Sequence, residues 1–178
     1  MLDEQGLKKF KFFSDIPEEK LDEILNYCES KYYEKDTILF TQNDNAKYLY
    51  GILSGKVELS ILFQEKDFKA EINHEESIYK SIEITDRPIV VGEVYAGEII
   101  GWSSFTKSVK MSASAKCLEE SNIFTVPTDK ILDLFQKDPA LGFPFMIKLC
   151  DVISNRLHSR TDMLVQAWGE AFKANNIG

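Results

Sequence analysis

The residues with the clearest chemical use lie in Gly97-Glu98-Ile99-Ile100-Gly101-Trp102-Ser103-Ser104. A glycine, an acid and a second glycine between two apolar runs leave backbone N–H groups open to cradle an anion, and the carboxylate can accept hydrogen bonds from a sugar diol. A Gly-Glu turn is structural in most chains, so alone it assigns nothing. Other chemistries are poorly supplied. Two histidines, His74 and His158, are too few for a histidine-rich metal centre or a metal-dependent jelly-roll enzyme. Three widely spaced cysteines, Cys28, Cys117 and Cys150, contain no C-x-x-C pair, which argues against a disulfide framework or an iron–sulfur cluster and for a reducing cytoplasm. No G-x-S-x-G, H-E-x-x-H or P-loop pattern occurs, so neither catalysis nor a cofactor is expected.

Composition narrows the partners. The 178 residues suffice for one domain with a sizeable core. With 21 Lys and Arg against 29 Asp and Glu the net charge is −8, which opposes direct nucleic-acid binding, since that rests on phosphate neutralisation. No apolar run reaches the length of a membrane span, and the acidic start lacks the layout of an export signal.

Three segments must position the Gly-Glu turn. Residues 1–30 read as helical: Leu21, Ile24, Leu25 and Cys28 follow one helical stripe, and Pro17 with Glu18 and Glu19 suits a helix start. Residues 31–127 read as a β jelly roll of short strands: Thr37–Phe40, Tyr48–Leu53, Val57–Phe63, Ser81–Ile84, Ile89–Val91, Met111–Cys117 and Asn122–Val126. Asp86-Arg87-Pro88 reads as a separator, and the stretch from Gln64 to Tyr79 as an extended hairpin tip or surface loop. Residues 128–178 return to helix. Asp138-Pro139 forms a cap and first-turn pair for a long helix carrying Met146, Leu149, Cys150, Val152, Ile153, Leu157, Leu164 and Trp168, with a kink or later start at Pro144. That stripe outlasts what one domain needs and suggests a homodimer through the long helix; packing on its own barrel is the alternative.

In order along the chain, Phe13-x-x-Ile16-Pro17, Tyr33-x-x-Asp36-x-Ile38-Leu39, Tyr48 to Glu58, Ala96 to Gly101, Ser112 to Cys117, Asp138-Pro139-x-Leu141-Gly142 and Val152 to Leu157 together resemble the cyclic-nucleotide-binding domain family. The resemblance implies a mainly β fold with flanking helices: an N-terminal helix, an eight-stranded jelly roll and a long C-terminal helix that often dimerises. It implies a phosphate-binding cassette in which Gly97, Glu98 and Ile99 form the ribose-side turn and Ser112 and Ala113 follow the phosphate arginine. It also implies that residues just after Arg156-Leu157, namely Arg160 and Thr161, face the ligand's base, although a solvent or partner face is as good a reading for them.

The cassette departs from the family where the charge matters most. Met111 stands at the arginine position, and the loop Phe105–Lys110 is longer than usual. Losing a buried, charged hydrogen-bonding partner costs about 2–5 kcal/mol, a roughly 30-fold to several-thousand-fold loss of affinity. Lys107 or Lys110 either replaces the lost charge or stays solvated. The leading expectation is a regulatory sensor module that binds a small ligand, a cyclic nucleotide or another, and signals through its long helix to a protein partner. Two alternatives stay open. A ligand-free interaction or scaffold module is favoured if Phe105, Met111 or Trp102 fills the phosphate space. The truncated sensory half of a transcriptional regulator is the other, because the chain ends too soon after the long helix for a helix-turn-helix module.

Overall fold

The computed structural model describes residues 2–72 and 78–175. Three helices and a 3-10 turn flank a β-sandwich, and a fourth, long helix closes the chain. Helix α1 spans Glu4–Lys8, capped by the Asp3 carboxylate, which accepts from the Gly6 N–H at 2.7 Å. A 3-10 turn covers Lys11–Phe13, and α2 spans Glu18–Leu25. Cys28 lies beyond that helix, although its spacing extends the helical stripe.

Eight strands follow: β1 (Glu29–Tyr33), β2 (Ile38–Phe40), β3 (Tyr48–Ser54), β4 (Lys56–Ile72), β5 (Ile78–Tyr95), β6 (Ile99–Ile100), β7 (Ser114–Cys117) and β8 (Ser121–Pro127). They form two antiparallel four-stranded sheets, ordered β1-β8-β3-β6 and β2-β7-β4-β5, a jelly roll. The chain closes with α3 (Thr128–Lys137) and α4 (Pro139–Asn175).

Pairing residues on the first sheet explain the two cores. Successive side chains alternate between faces, and both faces of this sheet are covered. Leu49, Ile99, Phe124 and Val126 turn toward the helices and join Phe10, Phe12, Phe13, Leu21, Ile24, Ile131 and Phe145. Their neighbours Tyr50, Ile52, Ile100 and Ile123 turn inward and meet Phe40, Val57, Leu59, Val94, Ala115 and Cys117 from the second sheet. Phe145 is the hinge of the outer core. Its ring lies 4.7 Å from Phe12, 5.0 Å from Phe135 and 5.5 Å from Phe105, so α4 is packed at once on the N-terminal turn, α3 and the cassette.

Two local expectations are corrected. Asp86-Arg87-Pro88 is no separator: it lies within β5, with Pro88 opposite Leu62. Strand β5 is the edge of its sheet, where a proline with no N–H to donate is tolerated. The region from Gln64 to Tyr79 continues the β4–β5 ladder as far as Ile72 opposite Ile78, the extended-hairpin option; His74 lies outside the described residues. The long helix does not start late at Pro144 but runs through it from Pro139, the proline forgoing the one hydrogen bond that its N–H would have made to the Ala140 carbonyl. Asp138 caps it, accepting from the Ala140 N–H at 3.1 Å.

Candidate functional site

The cassette begins at the turn between β5 and β6. Gly97 takes a φ of 88°, and Gly101 a φ of 86° at the start of a 3-10 turn over Trp102–Phe105. At Gly101 a β-carbon would also fall 2.5 Å from the Tyr48 carbonyl oxygen, so that position admits no side chain. The sequence suggests open N–H groups here, and the fold uses them. The Gly97 N–H donates to the Ile52 carbonyl at 2.9 Å, and the Glu98 N–H donates to the Tyr95 carbonyl at 3.1 Å. The Glu98 carboxylate is occupied on both sides. One oxygen accepts from the Tyr95 N–H at 2.8 Å, and the other lies 3.6 Å from the Arg156 guanidinium.

Arg156 reaches across from α4 and also donates to the Glu93 carbonyl at 3.2 Å. The acid that would receive a ribose hydroxyl therefore holds a cation of its own chain. Arg156 is the candidate site residue that sequence reasoning did not assign. It stands beside Leu157 as a family landmark, and only the docking of α4 against β5 brings it to Glu98.

Met111 is 3% exposed and belongs to the inner core, beside Phe40, Leu59 and Ile100. Its backbone is fixed by two hydrogen bonds to the β2–β3 loop, from its N–H to the Asp44 carbonyl and from the Asn43 N–H to its carbonyl. What is left beside it is a hollow of about 30 Å³, lined by Trp102, Ser103, Met111, Ser112 and Ala113 from the cassette, and by Arg156 and Arg160. Ligand sites ordinarily enclose roughly 300–1,000 Å³, so this hollow is an order of magnitude too small for a nucleotide. Phe105 does not fill it; that ring packs on Phe145. Neither Lys107 nor Lys110 lines it, and the Lys110 ammonium donates instead to the Asn45 side-chain oxygen at 2.7 Å.

The anticipated ligand residues thus fall into two groups. Gly97, Glu98 and Ile99 line a larger cleft of about 560 Å³, between the Lys11–Phe13 turn and α4, together with Lys148, Asn155 and Arg156. Met111, Ser112, Ala113 and Arg160 line the small hollow, and Arg156 borders both. Thr161 lines neither; its hydroxyl donates back to the Leu157 carbonyl at 2.9 Å. Burial, and secondarily the neighbouring Arg156 charge, hold the Arg160 guanidinium below its ordinary range. Among the described residues no cluster of His, Cys, Asp and Glu is arranged to hold a metal ion.

The cyclic nucleotide-binding domain model matches residues 30–138, more than half of the chain, and the protein belongs to that family. A cyclic nucleotide-binding domain from Methylobacillus flagellatus KT is similar in structure, with a TM-score of 0.66 and 23% identity over 92% of this chain and 80% of that one. The sensor domain of the transcriptional regulator DNR from Pseudomonas aeruginosa aligns with a TM-score of 0.59 and 19% identity, covering 89% of this chain and 91% of that one. The catabolite activator protein of Thermus thermophilus aligns with a TM-score of 0.58 and 22% identity over 89% of this chain, but only 62% of that one. At these identities the likeness is one of fold. No curated protein matches the sequence.

Proposed function

We propose that this chain is a regulatory module with a degenerate phosphate cassette, which passes its state through α4 to a second copy of itself and from there to a protein partner. One observation carries the reading. From Leu157 onward the helix leaves the body of the domain, and Leu157, Thr161, Leu164 and Trp168 recur at alternating spacings of four and three with Val165 and Phe172 alongside. Trp168 is 59% exposed and Phe172 67%, far more apolar surface than a lone helix sustains in water. The 4-3 alternation is that of a two-stranded coiled coil, so the occupant that fits is the same stripe on another copy. A helix packed on its own barrel would bury these residues.

The module acts by binding, not catalysis, and the cyclic nucleotide is not its ligand. Met111 stands uncharged in the inner core at the position of the phosphate arginine and Glu98 is held by Arg156, so neither the phosphate nor the ribose of a cyclic nucleotide finds its usual partner. Three unpaired cysteines suit the reducing cytoplasm, and no helix among the described residues is long and apolar enough to cross a membrane. The filled cassette favours the second reading, a ligand-free interaction module of the same fold.

Sedimentation equilibrium of the full chain, beside a Trp168→Glu variant, tests the seam. The wild type is expected to be dimeric and the variant monomeric with an unchanged circular-dichroism spectrum. A wild type that stays monomeric at every accessible concentration overturns the proposal. Calorimetry with cyclic AMP and cyclic GMP at millimolar concentration is expected to be silent; a saturable heat would restore the nucleotide as ligand.

A further inference from the structure

Strands β4 and β5 outrun the rest of their sheet. Strand β4 pairs with β7 from Val57 to Ser60; beyond that, its residues 61–72 pair with residues 78–89 of β5 alone, and β5 is the sheet edge. The result is a two-stranded ribbon about 40 Å long. Such a ribbon is marginal in water unless one of its faces is packed. Its base is apolar on the face that continues the barrel interior. Cross-strand partners share a face, so buried Leu59 opposite Gly92 is followed outward by Ile61 opposite Ile89, and then by Phe63 opposite Arg87. Helix α4 meets this same face at its inner end. A β-carbon on Gly92 would stand 3.8 Å from the Arg156 guanidinium, which donates to the Glu93 carbonyl at 3.2 Å. With the chain's own helix in place there, Ile89 remains 51% exposed and Phe63 52%.

We infer that this ribbon base is a second wall of the pairing surface, and that Ile61, Phe63 and Ile89 close over α4 of the second copy. The inference rests on the helix pairing proposed above. Two features select that occupant. Packed helices lie roughly 8–10 Å apart, and the three residues of strand from Gly92 to Ile89 cover about 10 Å. A helix laid beside α4, on the tip side of its meeting point with the ribbon, therefore reaches Ile89, Ile61 and Phe63. The exposed seam also opens at Leu157, the residue after Arg156, so it begins where the helix meets the ribbon. A two-fold arrangement satisfies both surfaces at once, each copy's ribbon receiving the other's helix with no third partner.

Sedimentation equilibrium of the full chain beside a Phe63→Ser/Ile89→Ser double variant tests the contact. The variant is expected to keep the wild-type circular-dichroism spectrum and to dimerise about tenfold or more weakly. Hydrogen exchange gives a reading that does not depend on that variant. Amides of residues 61–65 and 84–90 are expected to exchange more slowly in the wild-type dimer than in the Trp168→Glu monomer at the same concentration. A double variant that dimerises as the wild type does, or ribbon exchange equal in dimer and monomer, overturns the inference and leaves the helix seam standing. Equally slow exchange in both would assign the cover to the chain's own helix. A wild type that stays monomeric removes the seam and the ribbon contact together.

Discussion

At the scale of single residues, Met111 and Arg156 decide the character of the cassette. Met111→Arg tests whether the site is merely decayed. The variant is expected not to gain cyclic AMP binding in calorimetry, and to unfold at lower denaturant than wild type by several kcal/mol, since it places a charge in the inner core beside Arg156 and Arg160. Gain of binding with stability intact would show instead that the old pocket survives behind one side chain. The sequence makes this question visible, because a missing guanidinium can be read from a motif. It does not make the answer visible. That Gly97 and Glu98 spend their N–H groups on the carbonyls of Ile52 and Tyr95, respectively, depends on how two strands pair, and that Arg156 reaches Glu98 depends on where a helix 58 positions later docks.

At the scale of elements, two ion pairs fasten the N-terminal helical region to α4. Lys20 on α2 meets Asp138 at 2.8 Å, and Lys148 on α4 meets Asp15 at 2.6 Å. Hydrogen bonds from these lysines hold both carboxyls below the usual aspartate range. A carboxyl depressed in the folded state stabilises it above the unfolded value, near 3.9, and that contribution disappears as pH falls through the folded value. The melting temperature is therefore expected to hold above about pH 5 and to drop below about pH 4. An Asp15→Asn/Asp138→Asn double variant is expected to melt lower at pH 7 and to approach wild type as the pH is taken progressively below about 4; asparagine at 138 keeps the helix cap. Thermal scans across pH check this, and a gap of constant size would show that the pairs contribute nothing. Helix starts such as Asp138-Pro139 are local and legible beforehand. The unbroken run of β5 through Pro88 is not, because only its place at a sheet edge makes that proline harmless.

At the scale of the whole molecule, the fold is legible because its signals are periodic: short alternating strands between two helical regions reproduce the two-sheet sandwich and its helices. The division of the binding region into a hollow and a cleft is not, since it arises from the packing of α4 over both. If α4 pairs with a second copy, melting temperature is expected to rise with protein concentration for the wild type and to be flat for Trp168→Glu, by mass action. Concentration-independent melting of both would count against pairing.

The uninterrupted course of α4 also has a mechanical meaning. Its 37 residues extend about 55 Å, and roughly 30 Å of that lies beyond Arg156. A rod whose free part begins at Arg156 multiplies any small displacement at its base. Tilting it by about five degrees swings the tip by ~2.6 Å, about half a helical pitch, which is enough to change how ridges of one rod seat in the grooves of another. A small shift where the helix docks on the domain is thus felt, amplified, at the far end of the molecule.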